Sequence, residues 1–325
     1  MSQSADTITT VRAEPRRRFW FFDLLIRLAR EKPLGTVGLV IVVAMFFTGI
    51  FANFLAPEGY NVPHMADRLS PPSAKYLLGA DQVGRDVLSR IIFGARISMI
   101  VGLAASTISA IVGTILGLTS GFFGGKFDIV VQRFVDAWIS FPALVIYLTL
   151  MALIGAGMLQ LIIVLGIGYG IHGSRLIRSA AIALKENVYI EAASAIGASR
   201  LRVIFRHLLP NIIPIIIIRF TLGMAGVILL EASLSFLGFG IPPPFPSWGL
   251  MLSLEGRTYM IEAPWLALWP GLCLTIAVYG INMFGDALRD LLDPRLRGGV
   301  GGMGAYGMEQ ARKALRKREA RGEKR

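Results

Sequence analysis

The stretch ISMIVGLAASTISAIVGTILGLTSGFFGG, from Ile97 to Gly125, contains no charged residue. It is too long and too apolar for the surface helix of a soluble domain. Three further charge-free runs share its character: Leu34 to Leu55, Ala137 to Ile171 and Ala263 to Gly285. A hydrocarbon slab about 30 Å thick needs about 20 apolar residues as a helix, because no water is available there to satisfy a free backbone. The composition agrees. Of 325 residues 54% are hydrophobic and only 17% charged, against about 25% charged in ordinary soluble domains. The fold class expected is an all-α polytopic membrane protein.

Six spans are expected. They lie at about 35–56, from near Arg96 to Leu118, at 130–153, 158–174, 211–237 and 265–286. The third and fourth form a hairpin broken at Gly155-Ala156-Gly157. Pro142, Pro214 and Pro270 fall within or near spans, where neighbouring helices can re-satisfy freed backbone groups. Gly113/Gly117 and Gly166/Gly170 are small-x-x-x-small pairs that let helices approach closely. They fit packing within this chain or against a second subunit.

The positive-inside rule sets orientation. Arg12, Arg16, Arg17, Arg18, Arg27, Arg30 and Lys32 precede the first span. Arg175, Arg178, Lys185, Arg200, Arg202 and Arg206 lie between the fourth and fifth. The C-terminal tail is Gly-rich after Arg297 and then strongly basic. Opposite loops carry only Arg68, Lys75, Arg85, Arg90 and Arg257. Both termini and the 172–210 segment are therefore expected in the cytosol. The polar N-terminus, with its basic triplet well ahead of any apolar run, does not read as a cleaved signal peptide. The net charge of +12 sits beside the membrane, where anionic lipid accounts for it, and no nucleic-acid partner is inferred.

Catalytic signatures are missing. The lone Cys273 lies in an apolar run, and the three histidines are scattered, so neither a disulfide framework nor a Cys/His metal motif exists. Ser120 to Phe127 only loosely resembles a phosphate loop. Ser120 replaces the first glycine, and Phe127 replaces the Mg²⁺-binding hydroxyl. A Gly-rich turn between the second and third spans is expected there.

Between the fourth and fifth spans the chain reads KENVYIEAASAIGASRLRVIFRHLLP, from Lys185 to Pro210. Glu186 to Ser199 is Ala-rich and suits a helix. Gly197 permits a turn, and Pro210 suits the first turn of the fifth span. Physics alone leaves a helix lying on lipid and a surface for a cytosolic partner equally open. Glu231 and Arg219 are the ionisable residues of the fifth span, too far apart to pair. Arg219 is expected to snorkel to the cytosolic end. Glu231 is expected to face protein or water, either lining a pathway or gate or bonding between helices. Outside the membrane, Asp86 and Arg90 have helical i,i+4 spacing. Asp81, Arg85 and Asp86 fit either local capping and salt bridges or contact with an external binding protein.

Glu191-Ala192-Ala193-x-x-x-Gly197, with Arg200 following and then His207-x-Leu209-Pro210, resembles the E-A-A loop of ABC importer permeases. The dipeptide/oligopeptide/nickel subgroup is the nearest, and its C-type permease subunit nearer still. That resemblance is extended by Leu78-Gly79-Ala80-Asp81-Gln82-Val83-Gly84-Arg85-Asp86, by Glu231-Ala232-Ser233-Leu234-Ser235-Phe236-Leu237-Gly238, and by Gly285-Asp286 through Asp293-Pro294-Arg295. It covers nearly all of 34–297. It implies a type I ABC importer permease fold in a bacterial plasma (inner) membrane. The implied organisation is a cytosolic tail at 1–33, a first helix and periplasmic segment at 34–94, a permease core at 95–290 with a coupling loop at 185–210, and a basic tail at 291–325. It also implies a second homologous permease, two ATPase subunits that bind ATP and Mg²⁺, and a solute-binding protein. This chain then holds no cofactor and performs no catalysis. A secondary transporter would carry more ionisable residues deep in its spans, and a membrane enzyme would show a polar cluster. Nickel, glutathione or oligosaccharide as cargo stays open beside di- or oligopeptides.

Overall fold

A computed structural model describes residues 20–292, with side chains from residue 24. The basic triplet at 16–18, Asp293-Pro294-Arg295 and the Gly-rich basic tail lie outside the described residues. In chain order the helices are α1 (Trp20–Glu31), α2 (Pro33–Ile50), α3 (Ala52–Leu55), α4 (Val87–Phe123), α5 (Gly125–Ile139), α6 (Ala143–Ile154), α7 (Met158–Lys185), α8 (Val188–Ala195), α9 (Arg200–Val203), α10 (Leu209–Phe236), α11 (Trp248–Leu250) and α12 (Trp265–Leu292). A 3-10 turn at Met65–Asp67 and π-helical turns at Ile204–Leu208 and Met251–Gly256 complete the regular structure.

Among the described residues five helical stretches are long and apolar enough to cross a membrane, and α5 with α6 make a sixth if the bent pair is one span. That pair is bent by 88°, where a straight third span is expected from the sequence. Pro142 explains the break, since it cannot donate a backbone bond and disfavours helical geometry at Phe141. The expected second span also starts too late. The helix begins at Val87, capped by Asp86, whose carboxylate accepts from the Ser89 amide at 2.7 Å. Its 37 residues extend about 55 Å, well beyond a bilayer core. Arg96 does not end it because the end of α2 and the short α3 take up the guanidinium: Nε donates to the Gly49 carbonyl at 2.7 Å and a terminal nitrogen donates to Asn53 at 3.0 Å. The segment before the first span is also not wholly tail. α1 packs Leu28 against Ala287 and Leu291 of α12.

α4 and α7 run side by side in the same direction, with Gly113, Gly117 and Gly121 lying in turn against Gly170, Ser174 and Ala181. Lys32 meets Asp290 at 2.6 Å, so the described chain enters and leaves at one end of the bundle. Two apolar cores hold the helices together. Met45, Ile91, Met99, Met224, Ile228 and Ile281 join α2, α4, α10 and α12. Val101, Tyr147, Met151, Leu161, Leu165 and Val227 join α4, α6, α7 and α10. The crossing of α4 and α7 uses the paired glycines within this chain. A β-carbon at Gly117 would stand 2.4 Å from the Ser174 carbonyl oxygen, and one at Gly170 would stand 2.7 Å from the Val112 β-carbon. The Gly-rich segment after Ser120 finishes α4 and turns into α5 through left-handed Gly124 and Gly125, as expected of a turn. Cys273 is a free, half-buried residue of α12 packed on the first core.

Candidate functional site

The segment joining α7 to α10 is a folded handle at the end of the bundle where the described chain begins and ends. α8 is shorter than expected because Gly197 stops it. With φ at +83°, Gly197 takes the left-handed geometry in which the Ala198 amide reaches the Ala193 carbonyl and the Gly197 amide reaches Ser194, both at 3.0 Å. This is a Schellman turn. A β-carbon at Gly197 would meet nothing within 4 Å, so conformation rather than space requires glycine within this chain. Ser199 then caps α9 by accepting from the Arg202 amide.

From Arg200 the helix runs into α10 without a stop. Pro210 lies inside this continuous helix rather than at a fresh start. Lacking an N–H, it cannot bond the carbonyl four residues back. The ladder shifts ahead of it into the π turn, where the Leu209 amide donates to Ile204. The Asn211 side chain donates to the His207 carbonyl at 2.6 Å, and the His207 ring stands 6.5 Å from that of Tyr189.

Sequence positions split cleanly between two faces. Ile190, Ala193, Val203, Ile204 and Leu208 are buried against Leu118, Ile177 and Ala181 of α4 and α7. The opposite face exposes Val188 (80%), Ile196 (87%), Leu201 and Phe205 (63%) beside exposed Glu191, Ala192 and Arg200. Nothing within the described residues covers these apolar side chains.

At the other end of the bundle, Asp81, Arg85 and Asp86 are placed differently from a surface that greets an external protein. Asp81 is fully buried. One carboxylate oxygen accepts from the Val83 and Arg85 amides, each at 2.9 Å, and the other accepts from Arg85 Nε at 2.5 Å. Arg85 also donates to Glu255 at 2.9 Å, and Arg90 donates to the same Glu255 oxygen at 3.2 Å. The expected Asp86–Arg90 pair does not form, because Asp86 is occupied in capping α4. The i,i+4 pair is instead Asp81–Arg85. Asp81 and Asp86 are thus buried, one in a salt bridge and the other in a helix cap. Sequence reading missed Glu255. It lies in a π turn remote in sequence, and no local pattern ties it to Asp81. Burial pushes its carboxyl up, while the Arg90 charge pulls it back. The loop is drawn tight at Gly84, where φ is +79° and a β-carbon would fall 1.8 Å from the His64 carbonyl oxygen.

Glu231 is 0% exposed. One oxygen accepts from Ser235 at 2.8 Å, one turn along the same helix, so it faces no opening here. Arg219 does not run along the helix to its end. It turns inward against α7, with its guanidinium 5.6 Å from the centre of the Tyr169 ring.

The family model described as "Binding-protein-dependent transport system inner membrane component" matches residues 113–298. The dipeptide transport system permease protein DppC of Alkalihalophilus pseudofirmus is 39% identical over 268 residues, covering 82% of this chain and 88% of that protein. The oligopeptide permease OppC of Bacillus subtilis is 36% identical, over 85% of this chain and 90% of its own length. The glutathione permease GsiD of Pectobacterium atrosepticum is 35% identical, over 87% and 92%. Among solved structures, the inward-facing methionine ABC transporter MetNI superposes with a TM-score of 0.51, covering 63% of this chain and 96% of that chain at 18% identity. That likeness is one of fold.

Proposed function

Because the chain belongs to the family of binding-protein-dependent transport system inner membrane components, we propose that it forms half of the membrane pathway of an ATP-driven importer of dipeptides or oligopeptides. A second, homologous permease supplies the other half. Two separate ATPase subunits bind ATP and Mg²⁺, and this chain holds no cofactor and catalyses nothing. A solute-binding protein delivers cargo on the far side. The handle at 185–210 and both termini face the cytosol, in keeping with the lysine and arginine distribution.

One observation carries this reading: the handle is anchored by one apolar face and offers another. Glu191, Ala192 and Ala193 build the helix, Gly197 turns it, and Arg200 to Pro210 join it to α10 through His207 and Leu209. A groove on an ATPase subunit fits this exposed face better than lipid does. The buried face already packs on protein, and the loop is rigid across its turn. ATP-driven closure of the ATPases then pulls on the handle, and the continuous α9–α10 segment transmits the displacement into the bundle. Rigid-body switching between two arrangements is the expected form of such motion.

Reconstitution of the chain with its second permease, ATPases and binding protein in liposomes tests the proposal. The expected result is dipeptide accumulation that requires both ATP and the binding protein. Uptake driven by an ion gradient without ATP contradicts it.

A further inference from the structure

Arg219 stands ten residues into α10, about 15 Å along the helix from its first residue. A cation at that depth is costly unless something answers it. Among the described residues Arg219 forms no ion pair, and its guanidinium lies over the ring of Tyr169. The fold makes room for it. A β-carbon at residue 173 would lie 2.8 Å from Arg219 Nε, so Gly173 is what lets the guanidinium lie against α7. The Tyr169 ring covers one side of the group, and among the described residues its N–H groups make no hydrogen bond or ion pair.

That group lines an open cavity of about 390 Å³ between α5, α7 and α10. His172, Arg175 and Ser179 contribute its other polar walls, and Ile139 and Leu176 its apolar ones. No carboxylate lines it. The charge of Arg175 is already met by Asp136, which leaves Arg219 as the unanswered cation. The volume falls in the range of small-molecule sites. Ile139 is the last residue of α5, immediately before the 88° bend.

From this juxtaposition we infer that the Arg219 cavity receives a carboxylate of the cargo, the C-terminal carboxylate in the case of a peptide, as it crosses the membrane. The inference rests on the peptide-import reading above. A guanidinium fork matches a carboxylate with two parallel hydrogen bonds, and Ser179 and His172 offer further polar contacts.

The test compares Arg219→Gln and Arg219→Lys with the unmodified chain in the complete reconstituted transporter. It reads peptide imported per ATP hydrolysed, together with subunit co-purification. For Arg219→Gln that ratio is expected to fall about tenfold or more, the loss that goes with a missing hydrogen bond to a charged group. Assembly and binding-protein-stimulated ATP hydrolysis are expected to persist. Arg219→Lys, which keeps the charge without the fork, is expected to give an intermediate ratio. An unchanged ratio in Arg219→Gln overturns the inference, whether import and hydrolysis both persist or both fall. Loss of the second permease from the complex also overturns it, and assigns the residue to a subunit contact. Failure of the unmodified transporter to import any peptide strikes the underlying reading instead.

Discussion

Arg90→Ala is expected to lower the stability of the solubilised protein by about 3–5 kcal/mol, the cost typical of stranding one partner of a buried charge pair. Arg90 and Glu255 are 3% and 2% exposed. With Asp81 and Arg85 they make a cluster of two cations and two anions. Arg90 Nε lies 3.5 Å from Asp81, within ion-pair range but without a hydrogen bond, and its terminal nitrogen reaches Glu255. Removing Arg90 alone leaves two carboxylates facing one guanidinium in a site that water does not reach. Removing Arg90 and Glu255 together, as Arg90→Leu with Glu255→Leu, leaves Asp81 and Arg85 paired at 2.5 Å. The double variant is therefore expected to be more stable than Arg90→Ala, because apolar replacement of a whole buried pair is often neutral. Denaturant or thermal unfolding in detergent measures both. Equal loss in the single and double variants would show that the cluster is not a charge-balanced unit.

The largest functional effect is expected where folding has least at stake. Ile196 and Phe205 are exposed, and in this chain alone they support nothing. Ile196→Glu and Phe205→Glu are each expected to change stability by no more than about 0.5 kcal/mol, as surface substitutions do. In the assembled transporter the same changes place a carboxylate in an apolar contact. A central contact residue contributes about 2 kcal/mol or more, or about thirtyfold in affinity. Both variants are expected to insert and fold normally, to lose the ATPase subunits on purification and to abolish import. Full import by either variant would remove the exposed face from the docking surface.

The physics of burial explains which features could be read from sequence. Charge-free runs announced α2, α4, α7 and α12, because a span must be apolar along its whole length. They did not announce the true start of α4. Arg90 and Arg96 look like boundary residues until Glu255, Asp81 and the end of α2 are seen to neutralise or bond them, and those partners are distant in sequence. The handle was legible as a unit through its polarity, its glycine and its Leu-Pro ending. Its division into buried and exposed faces was not, since Ile190 and Ile196 are chemically identical and only the packing on Ile177 and Ala181 separates them. Arg219 departs from its expected place for a related reason. Snorkelling is the usual escape for a lone arginine, and the alternative required Tyr169 and Gly173 on another helix. Pro142 carried a signal for the α5–α6 bend, but proline is common enough in membrane helices that it did not decide between a kink and a break.

The central claim is that the handle is a cytosolic docking surface for the ATPases, and site-directed labelling at residue 196 tests it most directly. The native Cys273 is half-buried in α12, so an Ile196→Cys variant adds a single well-exposed thiol. In sealed membranes a membrane-impermeant maleimide is expected to reach that thiol only from the cytosolic side, and bound ATPase subunits are expected to protect it. Labelling from the outer side, or labelling undiminished when the ATPases are bound, would contradict the account.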